Sequence, residues 1–166
     1  MSGAHDAPAA TATVAVRVAA APAVAFDLFT REIDRWWLRG PKYRHAGRAA
    51  GSIRIEPNLG GRVVETWRDG DEQREFELGR VTAWQPPERL AFTWRNATFA
   101  PLEQTAVDVH FAAAGDGTLV TVRHSGWLSL RRDHPARHGM ADAEFARSVG
   151  MWWSQQLTAL REHAAN

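Results

Sequence analysis

The chain has 166 residues and a mass of 18.4 kDa, enough for one domain with a sizeable core and too little for two comfortable ones. Its 20 basic and 19 acidic side chains leave a net charge of +1, which excludes the electrostatic footprint of a nucleic-acid or membrane-surface binder. It has no cysteine, so disulfides, thiolate metal sites and cysteine nucleophiles are excluded together.

Residues 1–11 are small and polar without periodicity, which predicts a disordered leader ahead of a single domain over 12–166. The leader has neither a positive n-region nor a long apolar h-region, and no later window approaches the roughly 18 apolar residues of a membrane span. The expectation is a soluble, cytoplasmic protein. From Thr13 to Ala20, Val14, Val16 and Val18 alternate with Thr13, Ala15 and Arg17, a half-buried strand. Pro22 then stands at a helix start, and Val24, Phe26, Leu28, Phe29 and Ile33 carry helical spacing towards Trp36-Trp37. Gly40-Pro41 stops it, and Arg39 to Gly47 reads as a polar loop.

Strands are predicted at Ser52–Glu56, Arg62–Trp67, Arg74–Trp84, Arg89–Arg95, Thr105–Phe111 and Thr118–Ser125. Asp69-Gly70-Asp71 and Ala114-Gly115-Asp116-Gly117 are hairpin signals between them. Pro86-Pro87 cannot continue a strand, because neither residue offers a ladder N–H. Six consecutive antiparallel strands make a meander, not a βαβ repeat. The last segment differs: Phe145, Val149, Trp153, Leu157 and Leu160 recur at spacings of three and four, which predicts one long amphipathic helix over 143–163 with Asp142 as its N-cap.

Gly60-Gly61, Gly79 to Val81, Pro86 to Leu90 (PPERL) and Phe92 to Trp94 (FTW), with the closing helix around Gly150, Trp152 or Trp153, Leu157 and Leu160, resemble the activator-of-heat-shock-protein-90-ATPase homologue family. That family lies within the START-like (Bet v 1-like, SRPBCC) superfamily, and the resemblance extends over about residues 12 to 164. It implies an α+β helix-grip fold, in which a curved antiparallel sheet wraps a long C-terminal helix. A helix cannot fill a wide concave surface, so such a fold is expected to leave a cavity between helix and sheet.

Eight tryptophans against one tyrosine either fill a wide core or line that cavity, where an indole N–H can meet a bound polar group. In the last strand His124 shares a face with Thr118, Val120 and Val122 and so points inward, either as a proton carrier or ligand donor, or as a structural histidine. Glu65 alternates with Val63 and Trp67. On a concave face it is a carboxylate among apolar groups with a raised pKa or a basic partner; on the other face it is solvated. Family members commonly carry an apolar or aromatic residue there. Asp108 and His110 fall on the outer face, and Arg95 at a strand end can guard a pocket rim. Arg131, Arg132, His134, Arg137 and His138 form a basic loop that either attracts an anionic ligand or partner or, as expected, is mobile and solvated.

HExxH, GxSxG, Walker and Rossmann signatures are all missing. His134 and His138 are four apart, a spacing that suits a metal on a helix, but Pro135 lies between them and no carboxylate pairs with them, so neither a metal nor a cofactor is expected. The leading expectation is a protein that binds a small hydrophobic or aromatic ligand through Trp37, Glu65, Trp67, Phe76, Trp94, His124, Trp127 and Trp153. One alternative is a cyclase- or hydrolase-type enzyme using His124 or Glu65 in the same cavity. Another is a chaperone-partner module that stimulates the heat shock protein 90 ATPase, which the family name invites. The expected partner is that small ligand, with a homodimer left open; neither nucleic acid nor a membrane span is expected.

Overall fold

The computed structural model describes residues 11–127, 130 and 133–166. The leader expected at residues 1–11 lies outside them except for Thr11, as do Arg131 and Arg132 of the basic loop. Seven strands form one antiparallel sheet: β1 (Ala12–Val18), β2 (Gly51–Ile55), β3 (Arg62–Asp69), β4 (Glu72–Gln85), β5 (Arg89–Trp94), β6 (Thr105–Ala114) and β7 (Gly117–Ser125). Their order is β1-β7-β6-β5-β4-β3-β2, so the predicted meander runs across the sheet and the first strand closes it beside the last. Helices α1 (Pro22–Thr30) and α2 (Ile33–Trp36) follow β1, and α3 (Asp142–Ala164) ends the chain. The sheet curls around α3, which is a helix-grip fold.

The period-two patterns decide which side of the sheet is buried. In β7, Thr118, Val120, Val122 and His124 are buried while Leu119 and Arg123 are exposed. Val16 of β1 pairs with Val120 and Val14 with Val122, which continues that apolar face to the sheet edge. Long β4 is bent by two irregularities: Leu78 has no partner in β3, and Thr82 none in β5. Extra residues of this kind increase local twist and bend the strand. Gly79 lies beside the first of them, where any Cβ would overlap the Thr93 carbonyl of β5; only glycine lets the two backbones meet.

Helix α3 buries Phe145, Trp153, Leu157 and Leu160 as its spacing predicts, with Val149 half-buried. Its N-cap is Ala141, not Asp142, which occupies the first turn and pairs with Arg137. Gln156 joins the buried face, an unexpected position for a polar residue. Its Oε1 accepts the Leu38 N–H across 2.9 Å and so ties α3 to the exit of α2. The helical region expected up to Trp36-Trp37 is broken into two helices, as the resemblance implies. The break at Arg31-Glu32 involves neither Gly nor Pro, and Thr30 back-bonds the Phe26 carbonyl in the last turn of α1.

One core cluster joins α1, α2, the sheet and α3 around Phe26, Phe29, Phe92 and Trp153. A smaller one, Phe99, Trp127, Leu130 and Phe145, lies at the N-terminal end of α3, and Val149 packs against both.

Candidate functional site

Between the N-terminal half of α3, the loop after α2 and the ends of β5 and β7 lies a cavity of ≈ 790 Å³. Phe145, Val149 and Trp152 supply its α3 wall, and Trp94, His124 and Trp127 its sheet side. Residues 41–45 form the opposite wall, and Ala136 and His138 close one end.

The loop wall is polar in sequence yet built from buried bonds. Arg44 is only 4% exposed; its guanidinium donates to Asp34 Oδ1 at 2.8 Å, to the Trp37 carbonyl at 2.7 Å and to the Leu38 carbonyl at 3.2 Å. The other face of Asp34 Oδ1 accepts the Ile53 N–H of β2. Burial raises the Asp34 pKa, but the bonds from Arg44 and Ile53 outweigh it and hold the carboxyl below its ordinary value.

Glu65 is the second anchor. It pairs with Ile53 and Phe76, so the Val63-Glu65 side of β3 is the concave one. Its carboxylate accepts the backbone N–H groups of His45 and Ala46 at 2.9 and 2.8 Å, and His45 Nδ1 lies 3.2 Å away. Burial pushes its pKa up, but these donors prevail and the net shift is downward. The raised carboxyl pKa that burial alone would give is therefore not what this site has. Glu65 sits behind the loop, not on the cavity surface, and Phe76 stacks on the far side of His45 at 4.0 Å.

His124 is held from both sides. Trp153 Nε1 donates to its Nδ1 at 3.1 Å, and its Nε2 is 2.7 Å from Thr105 Oγ1. An indole N–H can only donate, so Nδ1 carries the lone pair and Nε2 the proton. Thr105 Oγ1 accepts from that Nε2–H and donates its own hydroxyl hydrogen bond to the Trp94 carbonyl, 3.3 Å away. Burial drives the His124 pKa down to about 3, so the ring is neutral across the physiological range.

Four indoles meet here. Trp37 contacts Trp94, Trp152 and Trp153 with ring centroids 5.5–5.9 Å apart, and Trp152 also contacts Trp94 and Trp153. Such offset and edge contacts each add about 0.5–1.5 kcal/mol beyond burial. Three of their N–H groups are spent on the fold: Trp37 on Tyr43, Trp152 on Lys42 and Trp153 on His124. The cluster is thus both packing and wall, and it offers a ligand ring faces and edges more than donors.

Of the residues singled out from sequence, Trp94, His124 and Trp127 lie on the cavity wall. Trp37 and Trp153 stand directly behind it, buried at 2% and 0% exposure. Glu65 and Phe76 support the loop from below, and Trp67 is away from the cavity, paired with Gly51 and Arg74 towards the far end of β3. Sequence reasoning passed over Trp152, Phe145 and the 41–45 loop. Trp152 is adjacent to the periodic Trp153, and on a helix that neighbour turns about 100° away, to the rim.

In the described part of the basic loop, His138 is exposed as expected, but His134 and Arg137 are buried. His134 Nδ1 accepts the Ala136 N–H, and its Nε2 reaches Glu103 at 3.0 Å. Arg95 leaves the rim to bond the Phe99 carbonyl. Asp108 and His110 do fall on the outer face, but Asp108 is bridged to Arg89 at 2.7 Å and to His110 at 2.9 Å.

A family model described as Activator of Hsp90 ATPase homolog 1-like protein matches residues 19–164. The chain belongs to that family. Solved structures share its fold at low identity. Protein NE0264 from Nitrosomonas europaea is 14% identical with a TM-score of 0.64, 96% of each chain being covered. Protein MLL2253 from Mesorhizobium loti is 18% identical with a TM-score of 0.60, over 92% of this chain and 94% of that one. The Aha1 dimer from Colwellia psychrerythraea, a solution structure, is 14% identical with a TM-score of 0.59, over 92% and 93%. No curated protein matches the sequence. Among the described residues no helix is long and apolar enough to cross a membrane.

Proposed function

We propose that this family member binds a small aromatic or hydrophobic molecule in the cavity between the sheet and α3. One observation carries the reading: a ≈ 790 Å³ space walled by Trp94, Trp127, Phe145 and Trp152. That volume lies within the range of about 300–1,000 Å³ usual for small-molecule sites, and an apolar aromatic lining is their common character. The proton-transfer version is less well supported. Both ring nitrogens of His124 are engaged within the protein, and Glu65 is turned to the loop backbone. The Colwellia relative is a dimer, so a homodimer is the assembly to look for in solution.

Titration with N-phenyl-1-naphthylamine, a neutral aromatic probe, tests the reading. Binding should raise probe emission and quench the indoles, and Trp152→Ala should weaken it by about tenfold, the equivalent of 1.4 kcal/mol. A folded protein that leaves this probe and a broad apolar panel unbound would overturn the proposal.

A further inference from the structure

The cavity carries one feature that its aromatic walls do not explain. Lys42 is the only lysine of the chain; every other strongly basic position is arginine. That one ammonium lies on the cavity wall and is exposed. The other strong cation of the lining, Arg44, is itself buried and is neutralised by half-buried Asp34. His124 is neutral, and His45 faces Glu65. Lys42 has no such carboxylate. Among the described residues its Nζ meets only the neutral Gln155 Oε1, at 2.8 Å, and the Tyr43 ring, at 5.5 Å from the centroid. No Asp or Glu lines the cavity among those residues.

We infer that the cavity takes an aromatic carboxylate, its rings against Trp94, Trp127 and Trp152 and its anion paired with Lys42 at the mouth. This rests on the ligand-binding reading above and adds the charge of the ligand to it. A compact ammonium on a flexible stem suits a carboxylate arriving from solvent, since it acts as a point charge without demanding a fixed fork geometry. Gln155 holds the ammonium near the mouth without discharging it. The same oxygen also accepts from Tyr43 Oη, so it keeps a partner when Lys42 turns to a ligand. A wall free of carboxylates adds no repulsion.

The test compares two isosteres, 2-naphthoate and 2-naphthamide, by titration calorimetry at low salt. The acid should bind about three- to tenfold more tightly, the scale of an exposed ion pair strengthened by a partly desolvated site. Lys42→Gln should erase that preference, bringing naphthoate affinity down to that of naphthamide. Lys42→Arg should keep it, and so should Arg31→Gln, which removes an equal charge from the exposed Asp27 pair elsewhere. Reductive methylation provides a second reading, because the ¹³C signal of methylated Lys42 stands alone among side chains and should move with naphthoate but not naphthamide. Equal binding of the two probes to the native protein, or a preference that survives Lys42→Gln, overturns the inference while leaving the aromatic site intact. If neither probe binds, both readings fail together.

Discussion

The indole N–H of Trp153 on α3 is given to Nδ1 of His124 on β7, 3.1 Å away, and this bond fixes the state of the imidazole. It joins the helix to the sheet through two residues that are each at most 2% exposed. It also turns the most reactive-looking side chain of the cavity wall into a structural one.

Stability should therefore fall as His124 is forced to take a proton. Its folded pKa is about 3 and its ordinary value 6.5. The contribution is complete above pH 6.5 and is lost as pH falls from there towards 3, because only the unfolded chain binds the proton in that window. The slope is about 1.4 kcal/mol per pH unit, so urea unfolding at pH 5 should give about 2 kcal/mol less than at pH 7 from this group alone. His124→Gln, which has no titrating ring, should flatten the profile. Equal slopes for both proteins would show that His124 does not carry the effect. Glu65, also depressed, acts in the same direction below its ordinary value of 4.5.

Trp153→Phe keeps most of the apolar volume but leaves Nδ1 of His124 without a donor in a dry site. The expected cost is about 1–3 kcal/mol. Trp153→Ala adds a cavity and should reach about 3–5 kcal/mol in denaturant unfolding. A loss below 1 kcal/mol for the alanine variant would mean that the indole borders open space instead of filling the core.

The loop wall should depend on Arg44. Arg44→Lys keeps the charge but not the planar fork that reaches Asp34, Trp37 and Leu38 together, and a buried carbonyl left without its donor typically costs about 1–3 kcal/mol. Amide exchange at residues 40–47 should accelerate in this variant. Unchanged exchange there would show that the loop stands without its guanidinium.

Glu65→Gln tests whether that carboxylate is an anchor or a reactive group. As an anchor it loses one acceptor and presents an NH₂ to the His45 N–H, which should cost about 1–3 kcal/mol and loosen the same loop. Its affinity for a neutral aromatic probe should fall with the loop's order, and Glu65→Asp, too short to reach both amides, should behave alike. Full stability in both variants would return Glu65 to the list of groups available for chemistry.

The sheet and α3 were legible because each repeats a local period: Val14, Val16 and Val18 in β1, Thr118 to His124 in β7, Phe145 to Leu160 in α3. The inward aim of His124 came from that period alone. The cavity's loop wall was not legible in the same way. Arg44 finds Asp34 ten residues back, and Glu65 finds the His45 and Ala46 amides twenty residues away. Such bonds leave no periodic trace, and a run of Lys, Tyr, Arg and His reads as solvent-exposed until its partners are known. The same holds for His134, whose burial depends on Glu103 thirty-one positions earlier. Which side of β3 is concave also needed the register: the alternation is visible in sequence, but only the pairing of Glu65 with Ile53 and Phe76 assigns it.

The eight indole N–H resonances of a ¹⁵N correlation spectrum report on every tryptophan at once and test the aromatic site most directly. On titration with N-phenyl-1-naphthylamine, the signals of Trp94, Trp127 and Trp152, the three indoles on the cavity wall, should move most. Trp37 and Trp153 directly behind them should move less, while Trp67 and Trp84, outside the lining, should stay in place. Saturable shifts confined to Trp67 or Trp84, or probe binding that leaves all three wall signals unmoved, would contradict the site described.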